Sequence, residues 1–203
     1  MVLTKSLSEL REMAREQLRG NWGKAILANV ILLISSAVCG IIPVVGVFIS
    51  IILTGPLTAG LYWFFLKLRR NENPAVTTVF DGFNRFGTAI ALVLLQGIFT
   101  FLWSLLLIIP GIIAALSYSM AFFIMMDDPA VTAMDAIGRS KEMMQGNKWK
   151  FFLLGLSFIG WALLTILTFG VGMLWLGPYM YASYANFYDE LKQSYYNGTD
   201  SRF

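Results

Sequence analysis

The chain has 203 residues, of which 57% are hydrophobic and 13% are charged, about half the charged share of a soluble domain. A chain of this length cannot hide so much apolar surface from water, which argues against an ordinary soluble fold. The net charge is only +3, and we expect no nucleic-acid partner.

Three long stretches carry no charged residue. They are residues 25–66, 86–126 and 151–188. Each is about twice the roughly 20 apolar residues that one membrane-spanning helix needs, and each has Gly or Pro near its middle, at 40–46, 110–111 and 170–172. We therefore predict an all-α integral membrane fold, with six transmembrane helices as three repeated helical hairpins.

The segments outside these stretches hold all 15 Lys and Arg side chains. They are an N-terminal surface helix in residues 1–24, a connector in 67–85, a surface helix in 127–150 and a tail in 189–203. Because cations concentrate on the cytoplasmic side of membrane proteins, we predict one membrane domain, residues 1–203, with both termini cytoplasmic. The charged N-terminus is unlike a cleaved signal peptide. The lone cysteine, Cys39, is expected near the outer end of the first span.

Amphipathic patterns predict short surface helices at the cytoplasmic side. One runs from about Leu7 to Arg19 and another from about Pro129 to Gln145. Asp128 and Asn73 each precede a proline, and we expect them to cap helices. Two capping boxes are also possible, Ser6 with Glu9 and Thr132 with Asp135.

Three short sequences each recur once along the chain. The pairs are residues 73–77 with 128–132, 19–24 with 145–150, and 54–56 with 176–178. We interpret this recurrence as descent from one repeated hairpin, with every copy entering the membrane from the same side.

The residue types restrict the chemistry. There is no histidine, which removes His-based acid–base catalysis and imidazole metal sites. All 12 carboxylates lie outside the charge-free stretches, so an intramembrane carboxylate dyad is excluded. We predict no catalytic residue, no metal and no cofactor, and we expect that the protein is not an enzyme.

Two Gly-Pro pairs, Gly55-Pro56 and Gly177-Pro178, fall near the middle of predicted spans. A proline inside a helix removes one backbone hydrogen bond and displaces the carbonyl four residues earlier. Paired helix breaks in repeated halves are typical of transporter sites, although we favour a simple kink relieved by neighbouring Ser or Thr side chains. The candidate ligand-binding residues are Gly55, Pro56, Gln96, Gly177, Pro178, Tyr181 and Tyr184.

Basic side chains beside the spans are candidates for contact with anionic lipid headgroups. They are Arg15, Arg19, Arg69, Arg70, Lys148 and Lys150. Membrane lipids are therefore expected partners, and docking of another membrane protein is an alternative use of the same surface. The sequence does not determine whether the chain forms homo-oligomers.

Several segments between Leu7 and Leu191 resemble an uncharacterised bacterial integral-membrane family, domain of unknown function 975. They are Gly20–Gly23, Thr54–Leu57, Phe101–Gly111, Ala136–Lys141 and Tyr184–Tyr188. The resemblance implies a multi-span protein of the bacterial plasma membrane and assigns no activity. The chain is also distantly similar to the membrane domain attached to some glycerophosphodiester phosphodiesterases. That activity is not transferred, because no catalytic domain accompanies it here.

Two functions remain open from the sequence. The first is a non-enzymatic membrane protein that binds lipid or a membrane partner, as a scaffold, accessory or protective factor. The alternative is a transporter or flippase for a neutral or amphiphilic molecule that uses the Gly-Pro pairs. An intramembrane enzyme ranks third.

Overall fold

The computed structural model describes residues 3, 5–41 and 45–200, excluding the side chains of residues 38–41, 45–48, 51 and 197–200. The fold is all-α, with 83% helix and no strand in the described part of the chain. The first hairpin tip and the Cys39 side chain lie outside the described residues.

Ten α-helices and one 3-10 helix follow one another over these residues. They are α1 (Leu7–Leu18), α2 (Trp22–Ile41), α3 (Val45–Arg69), the 3-10 helix (Val76–Arg85), α4 (Phe86–Leu106), α5 (Ile108–Tyr118), α6 (Ala121–Asp127), α7 (Ala133–Met143), α8 (Lys148–Leu156), α9 (Ile159–Leu167) and α10 (Met173–Asp200).

The two predicted surface helices are present as α1 and α7. At the start of α1, Ser6 accepts from the Glu9 backbone N–H, and the Glu9 carboxylate accepts from the Ser6 backbone N–H. This reciprocal pair is a capping box, as predicted. At α7, Thr132 accepts from the Asp135 backbone N–H at 3.2 Å. Side-chain oxygens therefore satisfy the first free donors of both helices.

The predicted caps at Asp128 and Asn73 are wrong. Asp128 is the C-terminal cap of α6, and its carboxylate accepts from the Ala130 backbone N–H two residues on. Asn73 has a φ of 48° and accepts from Lys24. The reason is competition: Asp and Asn side chains stabilise local turns as readily as helix starts. Because Asp128 stabilises this turn, Thr132 is the residue that caps the N-terminus of α7.

The second hairpin turns at Leu107, earlier than predicted. Leu107 is extended, with φ −164° and ψ 150°, and separates α4 from α5. Pro110 and Gly111 lie inside the first turns of α5, where a proline lacks only an N–H that would be unpaired anyway. The predicted turn at Gly170 is confirmed, since Gly170 has a φ of +87° between α9 and α10.

Three helical stretches of the described residues are long and apolar enough to cross a membrane. They are Val76–Leu106, Ile108–Asp127 and Lys148–Leu167. A shorter apolar helix covers Trp22–Ala37. The six-span arrangement and the repeated hairpin remain predictions.

Helices α3 and α10 lie at the centre and pack against each other. Both continue through their internal prolines, Pro56 and Pro178. Aromatic rings fill the space between α3, α6 and α10: Tyr62 stacks on Phe123 with ring centroids 4.5 Å apart, and Phe65 stacks on Tyr181 at 5.7 Å. Such rings bury much apolar area and prefer offset or edge contacts.

The 3-10 helix lies directly on α3 because two glycines leave room for it. A Cβ added at Gly60 would overlap the carbonyl of Val79, and one added at Gly82 would overlap the carbonyl of Pro56. The two backbones therefore touch where neither residue carries a side chain. Any larger residue at Gly60 or Gly82 must separate the two helices.

Ion pairs join the charged ends of the long helices. The Asp127 carboxylate is 5% exposed and accepts from both terminal nitrogens of Arg70, at 2.7 and 3.0 Å. It also accepts from Lys192 at 2.6 Å and from the Tyr188 hydroxyl at 2.8 Å. We call these four residues the Asp127 cluster. It ties the ends of α3 and α6 to α10.

Arg85 holds the loop between α6 and α7. Its guanidinium donates to the backbone carbonyls of Met125, Asp128 and Val131. Nearby, Arg139 donates to the Asp128 carboxylate, and this hydrogen bond lowers the Asp128 pKa below its usual value. The charge-free spans thus end in a layer of paired ionic groups.

Candidate functional site

A cavity of about 580 Å³ lies beside α10, and we call it the α10 cavity. It is lined by residues of α1, the start of α2, α9, the α9–α10 turn and α10. They are Arg11, Arg15, Trp22, Trp161, Leu164, Thr165, Thr168, Gly172, Trp175, Leu176 and Tyr179. Its volume is that of a small-molecule site.

The α10 cavity is bordered on one side by α9, a helix that packs loosely against the rest of the fold. No residue of α9 is buried, and α9 packs only lightly, on α10. The Gly170 turn separates the two helices, and Thr168 accepts from the Gly172 backbone N–H at 3.0 Å to close that turn. Residues of α9, of this turn and of α10 together line the cavity.

Two arginines give the α10 cavity a positive region. Arg11 and Arg15 are four residues apart on α1, a spacing that places both on one helix face. Neither forms an ion pair within the described part of the chain, and the buried Arg11 Nε has no hydrogen-bond partner there. Among the described residues, no acidic side chain lines the α10 cavity. Its lining therefore carries positive charge at Arg11 and Arg15.

A shallower depression of about 460 Å³ adjoins the α10 cavity. The two share Arg15 and Trp22, and the depression also contains Glu12, Glu16 and Arg19. Glu12 and Glu16 thus lie next to Arg15 but outside the lining of the α10 cavity.

The predicted ligand-binding residues of the first two hairpins serve helix packing. A Cβ at Gly55 would lie 3.0 Å from the carbonyl oxygen of Ala89, so Gly55 brings α3 close to α4. The Pro56 carbonyl faces Gly82 of the 3-10 helix. The Gln96 side-chain amide donates to the Tyr118 carbonyl at 2.7 Å, at the end of α5.

The predicted residues of the third hairpin lie on α10 but outside the cavity lining. Gly177 and Pro178 are buried between Leu176 and Tyr179, which do line it. Tyr181 and Tyr184 are half-buried and meet edge to face, with ring centroids 6.5 Å apart. The structure thus does not gather the predicted set into one pocket.

Sequence reasoning did not identify Asn29. This residue of α2 is 4% exposed, and its Nδ2 has no hydrogen-bond partner among the described residues. A Cβ at Gly177 would lie 2.5 Å from Nδ2, so Asn29 faces the Gly-Pro pair of α10. The available signal was a lone amide within the first charge-free stretch. The cavity residues Arg11, Trp161 and Trp175 were also missed, because only the fold brings them together.

The predicted lipid-contact cations fall into two groups. Arg69 pairs with Glu190 and Arg70 with Asp189, both within α10, and Lys150 donates to the Leu3 carbonyl at 2.8 Å. Arg15 and Arg19 are exposed on α1, and Lys148 is half-buried at the start of α8. The described residues contain no group of three His, Cys, Asp or Glu side chains placed to hold a metal ion.

An all-α fold with three helical stretches of membrane-spanning length among the described residues indicates a helical membrane protein. The chain belongs to the family described as protein of unknown function (DUF975), whose model matches residues 1–117 and 105–195. Comparison with curated proteins and with solved structures gives no match. The similarity to the phosphodiesterase membrane domain is therefore not shown.

Proposed function

We propose that this chain is a non-enzymatic protein of the bacterial plasma membrane that binds a membrane lipid in the α10 cavity. In this proposal it acts as a scaffold or accessory factor. The single observation that supports it best is the cavity itself, which is lined mainly by apolar side chains together with Arg11 and Arg15. In a membrane, the surrounding lipids are the molecules most available to fill an apolar cleft.

The experiment compares two tryptophan double variants of α9. Leu164→Trp with Thr165→Trp narrows the α10 cavity, which both residues line. Leu163→Trp with Ile166→Trp adds the same bulk to exposed positions of α9 outside the lining. The added rings occupy space that the lipid would fill, and a loss of about 1.4 kcal/mol is tenfold in affinity, so we expect about tenfold weaker lipid binding in the first variant only.

The measurement is the amount of phospholipid that stays with each protein through detergent purification, quantified by mass spectrometry. Thermal unfolding of each variant in the same detergent confirms that it is folded. Equal lipid retention in the wild type and in both variants would refute the proposed site.

We also infer six spans, with both termini in the cytoplasm, from the placement of all Lys and Arg outside the charge-free stretches. Because Cys39 is the only cysteine, its labelling tests this topology. We expect a membrane-impermeant maleimide to react from the outer face of intact cells, or not at all. Labelling from the cytoplasmic face alone would reverse the orientation.

A second candidate function, movement of an amphiphile between leaflets, is favoured by Asn29. Its Nδ2 has no hydrogen-bond partner among the described residues and faces the Gly-Pro pair of α10. A buried polar group without a partner is costly in a span, and such groups often belong to functional sites. Transfer of a labelled lipid between the leaflets of proteoliposomes distinguishes the two functions. A binding protein leaves the transfer rate at that of protein-free vesicles.

A further inference from the structure

We infer that the lipid of the α10 cavity is an anionic phospholipid whose phosphate is bound by Arg11 and Arg15. This inference rests on the proposed function and adds the chemical class of the ligand. Its basis is the joint occurrence of two unpaired guanidinium groups and an apolar cleft in one cavity.

Both arginines offer donors suited to a phosphate in the same cavity. Guanidinium presents its donors as a planar fork that matches phosphate oxygens. Arg11 and Arg15 lie one helical turn apart on α1 and both reach the α10 cavity. The buried Arg11 Nε has no acceptor from the described part of the protein. A phosphate between the two side chains would supply that acceptor.

Charge selects among phospholipids. Among the described residues, the cavity lining contains two cations and no carboxylate. Glu12 and Glu16 lie outside it, beside Arg15, so attraction of an anionic headgroup predominates within the cavity. A zwitterionic headgroup carries an ammonium group as well as its phosphate. That ammonium would lie near the same two arginines, and like charges repel. We therefore expect phosphatidylglycerol to bind in preference to phosphatidylcholine.

The apolar part of the α10 cavity suits an acyl chain in one leaflet. The lining runs along α10 from Tyr179 back to Gly172, the residue just before that helix. At a rise of about 1.5 Å per residue this length is about 10 Å. One leaflet occupies about half of the roughly 30 Å hydrocarbon core. Trp161 and Trp175 line this part, and their rings offer broad apolar surfaces with one polar edge.

The test is a lipid titration of the full chain in detergent, followed by native mass spectrometry. The probes are palmitoyl-oleoyl phosphatidylglycerol and the corresponding phosphatidylcholine. We expect the wild type to prefer the anionic lipid. The double variant Arg11→Gln, Arg15→Gln should lose that preference by about tenfold, since charge-assisted hydrogen bonds are lost. Arg11→Lys with Arg15→Lys should lose part of it, because the charge remains without the fork.

Arg19→Gln with Lys141→Gln is the matched control. It removes two exposed cations that do not line the α10 cavity. The headgroup assignment is overturned if the Arg11→Gln, Arg15→Gln variant still prefers phosphatidylglycerol. It is also overturned if the control variant loses this preference to the same extent. Failure of the proposed function is a different result, in which the wild type retains neither lipid. Retained binding of phosphatidylcholine in the Arg11, Arg15 variant supports both proposals.

Discussion

Gly60→Ala is expected to destabilise the protein by about 3 kcal/mol, the upper end of the usual cost of overpacking. In an isolated helix the same change would stabilise by up to about 1 kcal/mol, because glycine is a poor helix former. Here the new Cβ would overlap the Val79 carbonyl of the 3-10 helix. Backbone cannot move aside as a flexible side chain can, so the 3-10 helix must separate from α3.

Gly138→Ala is the matched control, since Gly138 lies within α7 and a Cβ there meets nothing within 4 Å. It should be neutral or stabilising. Both effects are measured by thermal unfolding in detergent, followed by tryptophan fluorescence. Similar melting temperatures for the two variants would contradict the close contact between α3 and the 3-10 helix.

Asp127→Asn is expected to destabilise by about 3 kcal/mol, the lower end of the cost of breaking a buried ion pair. The carboxylate is almost fully buried and accepts from three side chains of the Asp127 cluster. The lower end applies because Arg70 and Lys192 are themselves partly exposed. For a chain of this size that loss corresponds to a melting temperature roughly 10 °C lower.

The neighbouring residue supplies the comparison. Asp128 forms one ion pair with Arg139, and both side chains are exposed. Exposed pairs contribute about 0–1 kcal/mol, so Asp128→Asn should barely change the melting temperature. If the two substitutions have equal effects, the Asp127 cluster does not hold the helix ends together.

The composition of the chain predicted the all-α fold and the helices of spanning length, because hydrocarbon excludes charge whatever the tertiary arrangement. Local sequence patterns also predicted structure correctly where a side chain bonds to backbone only a few residues away. The capping box of Ser6 and Glu9 and the turn at Gly170 are both present. They depend on residues only a few positions apart.

Local signals failed where two local solutions compete. Asp128 stabilises a turn instead of starting a helix, and Leu107 replaces Pro110 as the hairpin turn. A local pattern does not distinguish a turn from a helix start at such residues. At Asp128, the contacts of Arg85 with the loop carbonyls favour the turn.

The candidate site was beyond the reach of sequence reasoning for a different reason. Arg11 of α1 and Trp161 of α9 are far apart in the chain and share no motif, yet both line the α10 cavity. The sequence by itself determined that charge is excluded from the spans, through the high free energy of ions in hydrocarbon. Only the tertiary structure decided which cations are paired, as at Asp127, and which are left facing an apolar cleft. Pairing depends on distances between helices, which no local pattern encodes.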